Sequence, residues 1–198
     1  MRRGATEIES NSADSRPAAG ERSNALSLRL VLILLLAAYA SYLFHEFGHW
    51  LAGTLLGNEM IMTLNGTYPQ SGSFLADWHR LYVGIGGPAF TILQSVIALG
   101  IIERYRTVSA YPFLFFPCFS RIFSLTLGKF SAQDEAGISA MLGLGNYTVA
   151  VVVCSVLVAL VWRGSRRLKL NGTFISAFFL FSTLFKLMVI ATHKLLFG

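Results

Sequence analysis

The sequence predicts an all-α polytopic membrane protein with about five transmembrane helices and a small β-hairpin after the first. Three observations carry this expectation. The 198-residue chain is 54% hydrophobic and only 13% charged, whereas a soluble domain has about 25% charged residues. Its apolar residues gather in several stretches, each long enough at about 1.5 Å per residue to cross a hydrocarbon core of about 30 Å. After the first stretch the pattern changes to short alternating runs around Asn65-Gly66, the signal of a tight hairpin turn.

Taken in order, residues 1–25 are rich in Ser, Ala, Asn, Glu and Arg, lack the apolar core of a signal peptide, and read as a flexible polar tail. Leu26 to Leu56 is apolar and helix-compatible, interrupted by His45, Glu46 and His49. Met60 to Leu64 and Thr67-Tyr68 are the two arms of the hairpin. A second apolar segment runs from Leu81 to Ile102, opening with Gly84, Gly86, Gly87 and Pro88 and closing in Glu103-Arg104-Tyr105-Arg106. A third covers Tyr111 to Gly128 and contains Arg121. The polar stretch 129–135 is followed by a glycine-punctuated segment, Ala136 to Gly145, and by a span from Tyr147 to Trp162 that stops at Arg163, Arg166, Arg167 and Lys169. Thr173 to Phe197 is the fifth span. Residues 26–198 thus form one membrane-embedded domain, with a core at 30–145 and additional helices at 146–198.

The net charge of +6 comes from 16 Lys and Arg against 10 acidic residues. Most of the basic residues flank apolar segments and lack interleaved aromatics, so they read as topology signals and not as a nucleic-acid surface. Cys118 and Cys154 lie inside apolar runs and suggest neither a disulfide framework nor a CxxC metal site. Gly53 and Gly57 form a GxxxG pair suited to helix packing, and the glycines at 84–87 suit close helix approach, with Pro88 near a helix start or bend.

The chemistry sits at His45-Glu46-Phe47-Gly48-His49. Two histidines four apart lie about 40° from one another around a helix and can share one metal ion, with Glu46 beside it as general base. Zn2+ suits nitrogen and carboxylate ligands, and a catalytic zinc site keeps one position for a water of lowered pKa. A Glu within an apolar helix is costly unless it faces a cavity, a partner or a metal. The bland alternative is a polar cluster that holds helices together.

This segment resembles the intramembrane zinc metalloproteases of the site-2 protease type, whose first core helix often carries HEFGH. Gly86-Gly87-Pro88 is similar to the family's Gly-Pro element, although Thr91 stands where the family commonly has Asn. The resemblance covers roughly residues 30–145 and implies a third zinc ligand from a later Asp. Asp134 fits the segment order. Glu135, about 100° away on a helix, is the alternative, and Asp77 and His79 read as interface groups at the foot of the second helix. Gln94, Gln133 and Asn146 are the amides available as oxyanion donors. Arg121 would hold Glu135 or a substrate carbonyl, or else reach the headgroups, and His193 reads as a snorkelling interface residue.

The implied activity is hydrolysis of peptide bonds within or near transmembrane segments of a membrane protein substrate. Such a substrate must unwind locally, and the hairpin offers it a strand edge. The remaining readings are a metal-binding or inactive membrane protein of the same fold, and a different zinc hydrolase that uses Glu135. Regulation would come from a membrane partner, from substrate supply or from the N-tail. With five spans, one side carries eleven Lys or Arg and the other only Arg80, Lys129 and Lys194. The charge bias therefore puts the N-terminus in the cytoplasm, whereas the resemblance implies the reverse.

Overall fold

The computed structural model describes residues 26–128 and 133–197; the N-terminal tail lies outside them. Six α-helices and one hairpin follow one another in the order α1 (Leu28–Leu55), β1 (Met60–Thr63), β2 (Gly66–Pro69), α2 (His79–Tyr105), α3 (Tyr111–Leu127), α4 (Asp134–Met141), α5 (Thr148–Leu168) and α6 (Gly172–Phe197). All of these helices except the short α4 are long and apolar enough to span a bilayer. The protein is a multi-pass integral membrane protein, with apolar residues on both the buried and the outward faces of its helices. Leu32, Leu36 and Leu43 of α1 point outward, where lipid is the compatible solvent, while Leu34, Ala37 and Ala38 are buried.

Local chemistry sets the helix ends. Ser27 caps α1 by accepting a hydrogen bond from the Leu30 amide. At its far end Gly57 takes a left-handed φ of +84°, and the Asn58 and Gly57 amides donate back to the Gly53 and Thr54 carbonyls at 3.0 and 2.9 Å. This is a Schellman stop, which turns the chain into the hairpin. Gly53 and Gly57 therefore do not form the expected helix-packing pair. Gly53 instead lies against the Met60 side chain of the hairpin.

The close approach is made by Gly48 of α1 and Gly86 of α2. A Cβ on either would come within 2.4 Å of the other's backbone oxygen. This crossing lays the inward face of α1 against α2. Pro88 lies inside α2, well past its start. Tyr111, Leu114, Phe116 and Phe178 fill the core where α3 meets α1 and α6. Cys118, Val153 and Leu157 form a second cluster between α3 and α5, and both cysteines are free thiols.

Two expectations shift in register. The hairpin pairs Met60 with Pro69 and Thr63 with Gly66, so its turn is Leu64-Asn65, one residue earlier than predicted. The reason is burial: Leu64 belongs to the core, and Thr63 Oγ1 donates to the Gly66 carbonyl at 2.8 Å to close the turn. Helix α5 also continues past Trp162 to Leu168. Arg163, Arg166 and Arg167 are good helix formers, and the end comes only at Lys169, with φ +54°. Arg163 and Arg167 pair there with Glu103 at 2.7 and 3.1 Å, at the end of α2 remote from the hairpin.

Candidate metal centre

The i, i+4 spacing on α1 turns both histidines inward, and both are buried, as is Glu46. Their rings meet edge to face, with 3.1 Å between the two Nε2 atoms. Each Nδ1 is engaged by α2. His45 Nδ1 lies 2.9 Å from Thr91 Oγ1, whose own proton goes to the Gly87 carbonyl at 3.0 Å, so the imidazole is the donor. His49 Nδ1 donates to the Val83 carbonyl at 2.6 Å. Both Nε2 atoms are thereby aimed at one point, the orientation that outer hydrogen bonds commonly impose on metal-binding histidines. Thr91 thus fixes the orientation of the His45 ring.

Asp134 reaches this point from the first turn of α4. Its Oδ2 lies 3.0 Å from His45 Nε2 and its Oδ1 3.5 Å from His49 Nε2. His45, His49 and Asp134 each offer one ligand atom within 4.8 Å of the others, so the group can hold a metal ion. Gly87 gives the cluster its room: a Cβ there would lie 2.2 Å from His49 Nε2 and 2.4 Å from His45 Cε1.

Glu135 does not compete for this position. It is 1% exposed and turned to Arg121, whose Nη1 lies 3.3 Å from Glu135 Oε2 and 3.4 Å from Asp134 Oδ2. Arg121 points inward, not to headgroups, and its Nη2 lies against the His45 ring, 2.7 Å from Nε2 and 2.9 Å from Nδ1. A bound ion would need that guanidinium to swing towards Glu135, with which it is already paired.

Glu46 and the ligand group line a cavity of about 690 Å3, which also takes in Asn65, Gly66 and Thr67 of the hairpin. Thr67 Oγ1 is 3.0 Å from Glu46 Oε2 and 3.2 Å from the Glu46 carbonyl. Several sequence candidates lie elsewhere. Gln94 donates to Ser41 at 2.7 Å and to the Phe113 carbonyl at 3.1 Å, which makes it a helix tie. Asn146 is exposed in the turn before α5, whereas Gln133 does line the cavity. His79, at the first turn of α2, is buried against Asn58, and Asp77 beside it is exposed. His193 stacks on Phe197 near the end of α6.

Lys186 of α6 was missed in the sequence, although a single Lys in an apolar span carries the same signal as Arg121. No protein-family model, curated protein or solved structure matches the chain.

Proposed function

We propose that the protein is an intramembrane zinc metalloprotease of the site-2 protease type, cleaving peptide bonds within or near transmembrane segments of membrane proteins. The observation that carries this reading is the convergence of His45, His49 and Asp134 beside Glu46 in a cavity between membrane-spanning helices. Zinc bonds of about 2.1 Å at tetrahedral angles place ligand atoms about 3.4 Å apart. The two Nε2 atoms lie 3.1 Å apart and His45 Nε2 lies 3.0 Å from Asp134 Oδ2, with one ligand atom from each residue all within 4.8 Å, which suits an ion of that size. Two neutral imidazoles and one carboxylate are a donor set suited to catalytic zinc.

Zinc, when bound, acidifies water and polarises a carbonyl. The chain's own residues do the rest. Glu46, oriented by Thr67, accepts the proton of the attacking water and passes it to the leaving amine. Thr91 and the Val83 carbonyl keep both histidines in the tautomer with a free Nε2. The hairpin lies on the cavity wall and offers an unwound substrate segment a strand to pair with. Proline at Met60 and Met62, whose amides point away from β2 in this register, should abolish cleavage if that pairing is used, and unchanged cleavage would remove the hairpin from the reading.

The proximity of Arg121 Nη2 to His45 Nε2 favours a second reading, in which the cluster is a metal-free polar network tying α1 to α3 and α4. One experiment separates them: metal content by mass spectrometry on purified protein, with cleavage of a single-span reporter in proteoliposomes. The proteolytic reading expects about one zinc per chain in wild type and Glu46→Gln, loss in His45→Ala, reduction in Asp134→Ala, and cleavage by wild type alone. Absence of zinc from wild type favours the polar network. Zinc without dependence on Glu46 leaves a metal-binding protein that does not hydrolyse.

A further inference from the structure

Lys186 is the second cation buried in the membrane-spanning core, and the chemistry above does not use it. It sits near the middle of α6 and is 3% exposed. Its Nζ donates to Ser120 Oγ at 2.8 Å, to Tyr42 Oη and Ser124 Oγ at 3.0 Å each, and to the Ser120 carbonyl at 3.2 Å. It also faces the Tyr42 and Phe123 rings, 5.4 Å from each centroid. Every one of these partners is neutral. Among the described residues no carboxylate lies within ion-pair distance, since Asp134 and Glu135 are both turned to Arg121. A buried ammonium without a counter-charge costs several kcal/mol in a bilayer, and such residues are normally paired or line a wet pathway.

The surroundings indicate what would pair with it. Lys186, Tyr42, Ser120 and Ser124 all line the same cavity as His45 and Glu46. Each hydroxyl that accepts from the ammonium keeps its own proton to donate. One cation and three hydroxyls therefore present a donor-rich, positively charged wall to the cavity, which suits a carboxylate. Tyr42 precedes His45 by three residues on α1, about 4.5 Å along the axis, so this wall is one helical turn from the metal ligands.

We infer that Lys186, with the Tyr42, Ser120 and Ser124 hydroxyls, forms a carboxylate-binding subsite that selects substrates carrying an anionic group within one or two residues of the bond to be cut. The inference deepens the proteolytic reading and rests on it only for what happens at the metal. The carboxylate comes either from an Asp or Glu side chain or from a free chain terminus.

The test measures binding of three dansylated peptides to detergent-purified, zinc-loaded Glu46→Gln protein, in which turnover is blocked. The peptides are leucyl-alanyl-leucine with a free carboxyl terminus, the same peptide as its terminal amide, and leucyl-aspartyl-leucine amide. At least one carboxylate peptide should bind about tenfold tighter than the neutral amide, as expected for charge-assisted hydrogen bonds, and which one does so identifies the source. Adding Lys186→Met should bring that ratio near one while zinc content is kept. Tyr42→Phe with Ser124→Ala retains the lysine and should reduce the ratio about threefold, and it serves as the deciding variant should Lys186→Met fail to fold.

Equal binding of all three peptides overturns the subsite, as does discrimination that survives these substitutions. Discrimination lost in His45→Ala yet kept in Lys186→Met also overturns it, because the anion then sits on the metal. A wild type that holds no zinc but discriminates in the same way removes the protease reading and leaves the subsite standing.

Discussion

The Thr67 hydroxyl lies 3.0 Å from the Glu46 carboxylate, tying the hairpin to the buried acidic residue of α1. The strand that would receive substrate and the group that would move the proton are therefore mechanically joined. A hydrogen bond to a charged group contributes about 1.5–3 kcal/mol, so Thr67→Val should lower kcat about tenfold or more, with zinc content and KM little changed. Thr67→Ser keeps the hydroxyl and should retain most of the activity. If valine and serine behaved alike in a reporter cleavage assay, Thr67 would have no role in orienting Glu46.

Gly87 supports a prediction that needs no substrate. Its missing Cβ leaves the space in which the two Nε2 atoms face Asp134, and a methyl group there would sit 2.2 Å from His49 Nε2. Gly87→Ala should therefore abolish metal binding by mass spectrometry while the protein still purifies as a folded monodisperse species. Gly86→Ala should instead strain the α1–α2 crossing at Gly48 and lower the thermal midpoint in detergent, since overpacking costs about 1–3 kcal/mol. Full metal content in Gly87→Ala would mean that the cluster is not the metal site.

The sequence carried much of this arrangement because its strongest signals are local. HEFGH needs only helical spacing to bring His45 and His49 together, and five apolar runs need only length. Asp134 followed from segment order, and the structure separates it from Glu135 by turning the latter to Arg121. What was not legible depends on partners distant in the chain. The Gly48–Gly86 crossing, Thr91 behind His45 and Thr67 behind Glu46 are each defined by a residue at least 20 positions away. The hairpin register followed the burial of Leu64 and not the Asn-Gly signal, because a core contact outweighs a turn preference.

Arg121 and Glu135 form a buried pair whose two halves should be unequal to its whole. Removing Arg121 alone leaves Glu135, 1% exposed, with an uncompensated charge, a change that typically costs about 3–5 kcal/mol. Arg121→Met should therefore sharply reduce thermal stability. Arg121→Met with Glu135→Met replaces the pair by apolar groups of similar length and should recover most of that loss. A double-mutant cycle of thermal unfolding in detergent gives the coupling directly, and simple additivity of the two substitutions would show that the pair is not a unit.

Orientation follows from the same helices. Five candidate spans put the hairpin, α4 and the His45–His49–Asp134 group at one end of the bundle, and the loops after α2 and α5 at the other. Among the described residues, Ala136 to Met141 belongs to the short α4 and Thr148 to Leu168 is one helix long enough to span, so this part of the chain supplies a single candidate crossing. Arg104, Arg106, Arg163, Arg166, Arg167 and Lys169 all gather at the end remote from the hairpin. If Lys and Arg keep to the cytoplasmic side, the His45–His49–Asp134 group is expected towards the opposite face. Alkaline phosphatase, which needs the oxidising exterior to form its disulfides, should be active when fused after Ser73 and inactive when fused after Arg106. The reverse pattern would turn that group to the cytoplasm, as the site-2 protease resemblance implies, and would mean that the charge bias does not set the topology of this chain.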